Sequence, residues 1–154
     1  RICFGFRISC FEFRTVNMIN QPLSSKTGKK AIATTDAPAA VGPYSQAIEV
    51  GELVFCAGQI GLDPKTQQLV PGGIEEETRQ VLHNLSAILK AAGLSTANVV
   101  RCDIFLKNIA DFAKVNEMYG VFFSADPKPV RQTVEVSNLP KNALIEISCI
   151  AHRG

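Results

Sequence analysis

The stretch PVRQTVEVSNLPKNALIEI, residues 129–147, places Arg131 and Glu146 inside two strand-like runs rich in apolar residues. A buried charge is costly unless it is paired, hydrogen-bonded or reserved for a ligand. Side chains alternate between the faces of a strand, so Arg131 shares a face with Thr133 and Glu135, and Glu146 shares one with Leu144 and Ser148. The connection SNLPKN, residues 137–142, has the length and composition of a hairpin link. If the two runs pair antiparallel with paired residue numbers summing to an odd value, Arg131 and Glu146 lie on one face as diagonal neighbours, roughly 7–8 Å apart. A slip of one residue sends them to opposite faces. The functional reading is a guanidinium fork for a small carboxylate, with a carboxyl group nearby to move a proton or orient water. The other reading is a structural salt bridge at a sheet edge, and the spacing leaves both open.

Working back from this stretch, residues 98–107 read as a strand and are followed by an amphipathic helix. That helix has Asp111 as its expected N-cap and runs to about Ser124, its apolar positions being Val115, Met118, Tyr119, Phe122 and Phe123. Before them, residues 74–92 carry an apolar stripe of Ile74, Val81, Leu82, Leu85, Ile88, Leu89 and Ala92. Glu75, Glu76 and Glu77 complement the macrodipole in the first turn, and Gly93 closes the helix. Ala47–Val50 and residues 53–57 read as strands around the two-residue turn Gly51-Glu52, and residues 31–35 as a further short strand. The order β, β, β, α, β, α, β, β predicts an α+β domain with two helices on one face of a mixed sheet. Both parities of the last strand are apolar, so its second face needs a cover, and another copy of the chain is the economical one.

The 154 residues suffice for one domain, and no apolar run approaches the roughly 20 residues of a membrane span. A formal charge of +2 gives no field that favours nucleic acid. Cys3, Cys10, Cys56, Cys102 and Cys149 are odd in number and contain no CxxC pair, which indicates neither a disulfide framework nor a thiolate zinc site and suits a reducing compartment. Cys56 and Cys102 read as buried strand residues. His83 and His152 stand at no metal-ligand spacing, so no metal is expected. Residues 1–29 read as an extension ahead of a domain covering 30–154. The first 17 residues, with three arginines and Glu12, fit an artefact or disordered segment better than a targeting remnant. The expected location is the cytoplasm, or an organelle if those residues are such a remnant.

Several motifs then fall into register: Gly42-Pro43-Tyr44-Ser45-Gln46, Ala57-Gly58-Gln59-Ile60, residues 111–116 (DFAKVN), Pro129-Val130-Arg131, Leu139-Pro140 and Ile145-Glu146-Ile147. Together they resemble the reactive intermediate deaminase family, also called Rid or YjgF, over residues 30–153. The resemblance implies a chorismate-mutase-like fold assembled as a homotrimer with sites in clefts between subunits. It implies hydrolysis of 2-aminoacrylate-type enamines and their imine tautomers to 2-keto acids and ammonia, without a cofactor. Members of the family have also been described as ribonucleases, translation inhibitors and chaperone-like proteins, and a metabolite-binding regulator would use the same arginine.

On this reading Arg131 grips the substrate carboxylate with two parallel hydrogen bonds that lysine cannot reproduce. Glu146 positions or deprotonates water and returns the proton to the departing amine. Tyr44 offers a hydroxyl from its Gly-Pro loop, Gly58 and Gln59 allow close backbone approach, Asn116 lines the pocket from the second helix, and Phe112 walls it. Each also has a plain structural reading: packing for Tyr44 and Phe112, a bend at Gly58, a solvated surface for Asn116. Ala57 stands where relatives often carry serine, and Thr133 where they often carry cysteine. Both changes bear on substrate range.

Overall fold

The computed structural model describes residues 28–154, so the extension expected over 1–29 lies, up to residue 27, outside the described residues. The six strands are β1 (Lys30–Ile32), β2 (Ala47–Val50), β3 (Leu53–Ile60), β4 (Val99–Leu106), β5 (Val130–Glu135) and β6 (Ile145–His152). They form one sheet in the order β1-β2-β3-β6-β4-β5, with the helices α1 (Ile74–Ala91) and α2 (Phe112–Phe122) inserted after β3 and β4. The predicted order of elements and the α+β class hold.

The pairing of the last two strands does not. β5 and β6 are not neighbours: β4 lies between them, parallel to β5 and antiparallel to β6. Burial explains the choice. On β6, Ile145, Ile147, Cys149 and Ala151 are almost wholly buried, and full burial of each isoleucine contributes about 1.5–3 kcal/mol. Such a strand belongs at the centre of the sheet. β5 has no fully buried residue and takes the edge. The 137–142 connection therefore passes over the end of β4 and is fastened there by Lys107, whose Nζ donates to Ser137 O and, at 2.8 Å, to Asn138 Oδ1.

Cross-strand partners share a face, which sorts the side chains. Cys56, Cys149, Cys102 and Arg131 form one row across β3, β6, β4 and β5. That face also carries Val54, Ile104, Leu106, Ile145 and Ile147, all buried in the core shared with the helices. The opposite face carries Leu53, Phe55, Phe105, Val130, Val134, Glu146, Ser148 and Ile150. Leu53, Phe55, Val130 and Val134 are exposed there.

The helices follow their sequence signals closely. The α1 stripe is buried as expected. Its C-terminus closes with Leu94 N donating to Leu89 O (2.8 Å) and Gly93 N to Lys90 O (2.9 Å), the left-handed φ of 74° at Gly93 making that turn possible. Asn84 on α1 donates to Leu62 O (2.9 Å) and Ile60 O (3.3 Å), which fixes the end of β3. The expected cap of the second helix is corrected: Asp111 has helical dihedrals and no side-chain capping bond. Asn108 accepts from Ala110 N instead (3.0 Å), opening one 3₁₀ turn, Ile109–Asp111, that runs into α2. The helix ends at Phe122, two residues before the expected Ser124. Among the described residues no helix is long and apolar enough to cross a membrane.

Candidate functional site

The predicted site residues divide into two groups on opposite faces of the sheet. The first surrounds a cavity of about 500 Å³ lined by Tyr44, Gln46, Gly58, Ile60, Lys141 and Glu146, among others. Gly58 and Gln59 were expected just after a strand; they lie within β3, at an irregularity between Cys56 and Gln59 where the register against β6 shifts. This bulge turns Gly58 toward Glu146. A Cβ built on Gly58 would stand 1.9 Å from Glu146 Oε1 and 2.8 Å from its Cδ, so the carboxyl occupies space that only glycine leaves free. Burial pushes the Glu146 carboxyl above the ordinary carboxylate value, and among the described residues no cation pairs with it within 4.0 Å. The Gln59 side chain turns inward and donates to Gly58 O (3.2 Å) and Ala57 O (3.3 Å), so it holds the bulge from within.

Tyr44 stands on the rim of this cavity, 53% exposed. Its hydroxyl accepts from Val41 N at 3.3 Å, which ties the side chain to its own loop. The loop is anchored by Gln46, the last residue of the motif at residues 42–46. Gln46 is only 5% exposed. Its Oε1 accepts from Thr34 N (2.7 Å), and its Nε2 donates to Thr34 O (3.0 Å), Ala37 O (3.3 Å) and Pro38 O (2.7 Å). Its own carbonyl accepts from Ala57 N at 2.9 Å, joining the Tyr44 loop to the strand that carries Gly58. A buried glutamine beside a Gly-Pro loop was the available signal, since a buried amide must find several partners.

The second group gathers where β5 meets α2. Arg131 Nη1 donates to Asn116 Oδ1 at 2.8 Å. The guanidinium carbon lies 4.7 Å from the centre of the Tyr119 ring and 5.5 Å from that of Phe112. Thr133, two residues along on the same face, has a buried hydroxyl with no hydrogen-bond partner among the described residues. Tyr119 likewise buries its hydroxyl, beside the Cys102 thiol. Burial, with Cys102 beside it, raises the Tyr119 phenol well above its ordinary value. The Cys102 thiol is itself pushed up to about 11 by burial.

Arg131 and Glu146 therefore do not share a face of one subunit. Arg131 is the cross-strand partner of Cys102, and Glu146 that of Phe105, three positions further along β4 and so on the other side. The expected diagonal pair rested on a β5–β6 hairpin that does not form. What the structure brings together is Tyr44, Gly58 and Glu146 on one side, and Arg131, Asn116, Phe112 and Thr133 on the other. The first set is a carboxyl in a largely apolar hollow; the second is an exposed cation with, among the described residues, one side-chain hydrogen bond, to Asn116. Among the described residues no cluster of three His, Cys, Asp or Glu is placed to hold a metal ion.

Comparison with known proteins agrees with this arrangement of motifs. The family model described as Endoribonuclease L-PSP matches residues 34–153. A RutC family protein of Pyrococcus horikoshii is 52% identical over 125 residues, covering 81% of this chain and 98% of that protein. The mouse protein named 2-iminobutanoate/2-iminopropanoate deaminase is 48% identical over 126 residues, 82% of this chain and 93% of its own length. A crystal structure of a Rid family protein of unknown function from Yersinia pestis superposes with a TM-score of 0.79 at 46% identity, covering 81% of this chain and 99% of that one. The chain belongs to the Endoribonuclease L-PSP family, whose members here carry the names RutC and Rid.

Proposed function

We propose that this protein is a hydrolytic deaminase of small 2-imino acids and their enamine tautomers, releasing 2-keto acids and ammonia, as the name of its mouse relative says of that enzyme. The observation that carries the reading is the Glu146 carboxyl, lodged against Gly58 in an apolar-walled cavity with its proton affinity raised by burial. An imine carbon is already electrophilic, so the chemistry asks for an oriented water and a group that moves one proton. Glu146 takes a proton from water as its oxygen bonds to the C=N carbon. The proton passes to nitrogen; in the resulting carbinolamine Glu146 carries the hydroxyl proton to the amine as the C–N bond breaks, so ammonia departs and the keto acid is left. The Tyr44 hydroxyl and the Gly58 backbone border the same space. Arg131 binds the substrate carboxylate through its fork, with Asn116, Phe112 and Thr133 around it.

Because the two groups lie on opposite faces of one sheet, the reading requires a second copy to bring its Arg131 to the Glu146 cavity. The exposed apolar side chains of the open face, with Val130 67% exposed at the edge strand, are a surface for that contact. A cyclic homotrimer presents three such junctions. The buried free thiols Cys56, Cys102 and Cys149 suit a reducing, cytoplasmic setting. The ribonuclease reading finds less support: His83 lies in the groove between the helices and His152 on the other face of the sheet, so they do not form a pair.

The test is a coupled assay in which a dehydratase generates 2-aminoacrylate from serine while keto acid release is followed. Acceleration by the parent protein, lost in Arg131→Ala with the oligomer intact, is the expected result. Unchanged release beside measurable keto acid binding would make the protein a sensor.

A further inference from the structure

We propose that Tyr119 is a positioning residue for carboxylate capture: its buried ring fixes the plane of the Arg131 guanidinium and so aims the unused N–H edge at the substrate. The inference rests on the reading of Arg131 as the carboxylate-binding group. Arg131 sits on the edge strand, where a long side chain ordinarily samples many rotamers and loses that freedom only on binding. Here three contacts restrain it. Asn116 takes one Nη1 hydrogen at 2.8 Å. Phe112 lies 5.5 Å away, but it is 38% exposed and so a weakly desolvated partner. Tyr119 is nearer, at 4.7 Å, and only 6% exposed, and a cation over a desolvated ring is held more strongly than one over an exposed ring.

The Tyr119 ring is itself fixed. It projects from α2 into the core, and its centre lies 4.5 Å from that of Phe123. Its hydroxyl is buried beside Cys102, the cross-strand neighbour of Arg131. A rigid π face beneath the guanidinium and an amide at one of its nitrogens define the fork's plane before any ligand arrives. Of the five guanidinium N–H groups, the side-chain bond to Asn116 uses one.

The experiment replaces Tyr119 with phenylalanine and then with mono-, di- and trifluorophenylalanine, rings of nearly constant shape whose attraction for a cation declines stepwise. Calorimetry reads the Kd for 2-oxobutanoate, and kinetics on the imine separates KM from kcat. Tyr119→Phe keeps the ring that faces the guanidinium and is the reference for the fluorinated series. Kd and KM should rise with each fluorine, by about 3- to 30-fold across the series, while kcat changes less. A Kd that is flat across the series overturns the proposal, because a ring needed only for packing is indifferent to fluorination. Should Arg131→Ala bind 2-oxobutanoate as well as the parent, it is the carboxylate reading that falls. Rotation about the Arg131 Nε–Cζ bond, measured by ¹⁵N exchange without ligand, then decides the role of Tyr119: faster rotation with each fluorine supports the hold, and an unchanged rate ends it.

Discussion

The Glu146 side of the sheet is a concavity and the Arg131 side is an edge, and the fold builds them by different means. Around Glu146 the backbone does the shaping. A bulge in β3 sets the bare backbone of Gly58 against Glu146, Asn84 fixes the carbonyls at the end of that strand, and Gln46 gathers residues 34–38 with its side-chain amide while its own carbonyl joins β3 at Ala57. Around Arg131 side chains do the work, with an amide and two rings on α2 and its N-terminus restraining a guanidinium on an edge strand. A backbone-built hollow tolerates little change in shape. A side-chain-built platform tolerates exchange of one aromatic for another but not of its charge. Neither half suffices for the proposed reaction, because each faces away from the other within a subunit.

The largest expected effect breaks the two halves separately and then recombines them. Arg131→Ala and Glu146→Gln should each lower kcat/KM by about 10²-fold or more. If the site joins Glu146 of one copy to Arg131 of the next, equal random mixing of the two variants by co-refolding places both intact residues at about one junction in four. About a quarter of the parent activity should then return. Mixed oligomers, verified by mass spectrometry, that stay as inactive as either variant would show that the two residues serve no common site.

Gly58→Ala tests the shape of the hollow alone. The added Cβ would meet Glu146 Oε1 at 1.9 Å and its Cγ at 3.0 Å, so the carboxylate must swing away. The far end of a flexible side chain can do so at a stability cost of about 1–2 kcal/mol. Misplacing a catalytic group by an ångström, however, can cost about 10²-fold in rate. Chemical denaturation should therefore report a folded, modestly weakened protein whose kcat has fallen far more than its stability. A variant retaining most of its kcat would mean that the carboxyl does not act from this position.

The helices were legible because their signals are local. The 3.6-residue apolar stripe of α1, its three leading glutamates and Gly93 each act within a few residues of one another. The two halves of the site were legible as residues but not as geometry. Arg131 and Glu146 stood out as charges in strands, yet their relation depends on where β6 inserts, a decision made by competition for the centre of the sheet. The sequence did hold one clue: a strand, a helix and a second strand, residues 99–135, is the pattern of a parallel crossover, which pairs β4 with β5 and leaves no place for a β5–β6 hairpin. The roles of Gln46 and Tyr119 were not legible, because each acts through a side-chain contact that neither periodicity nor charge marks: a buried amide in a loop and a ring face turned toward a distant strand.

The smallest effect concerns stability, and it asks whether the two halves influence one another. Burial raises the Glu146 carboxyl above its ordinary value, so the folded state holds this proton more tightly than the unfolded chain does. The associated stability is present below the unfolded carboxyl value and is lost as pH rises through the folded one. Glu146→Gln removes that titration. Its Tm relative to the parent should therefore climb as pH rises from the ordinary carboxylate range through neutrality, while Glu77, also raised by burial, titrates in both proteins and drops out of the difference. A guanidinium brought within roughly 4–6 Å by a neighbouring copy would favour the ionised carboxyl and shrink the gap. The gap should accordingly widen when both proteins also carry Arg131→Ala. Paired thermal scans over that pH range read it directly, and equal gaps in the two backgrounds would mean that Arg131 of one copy never approaches Glu146 of another.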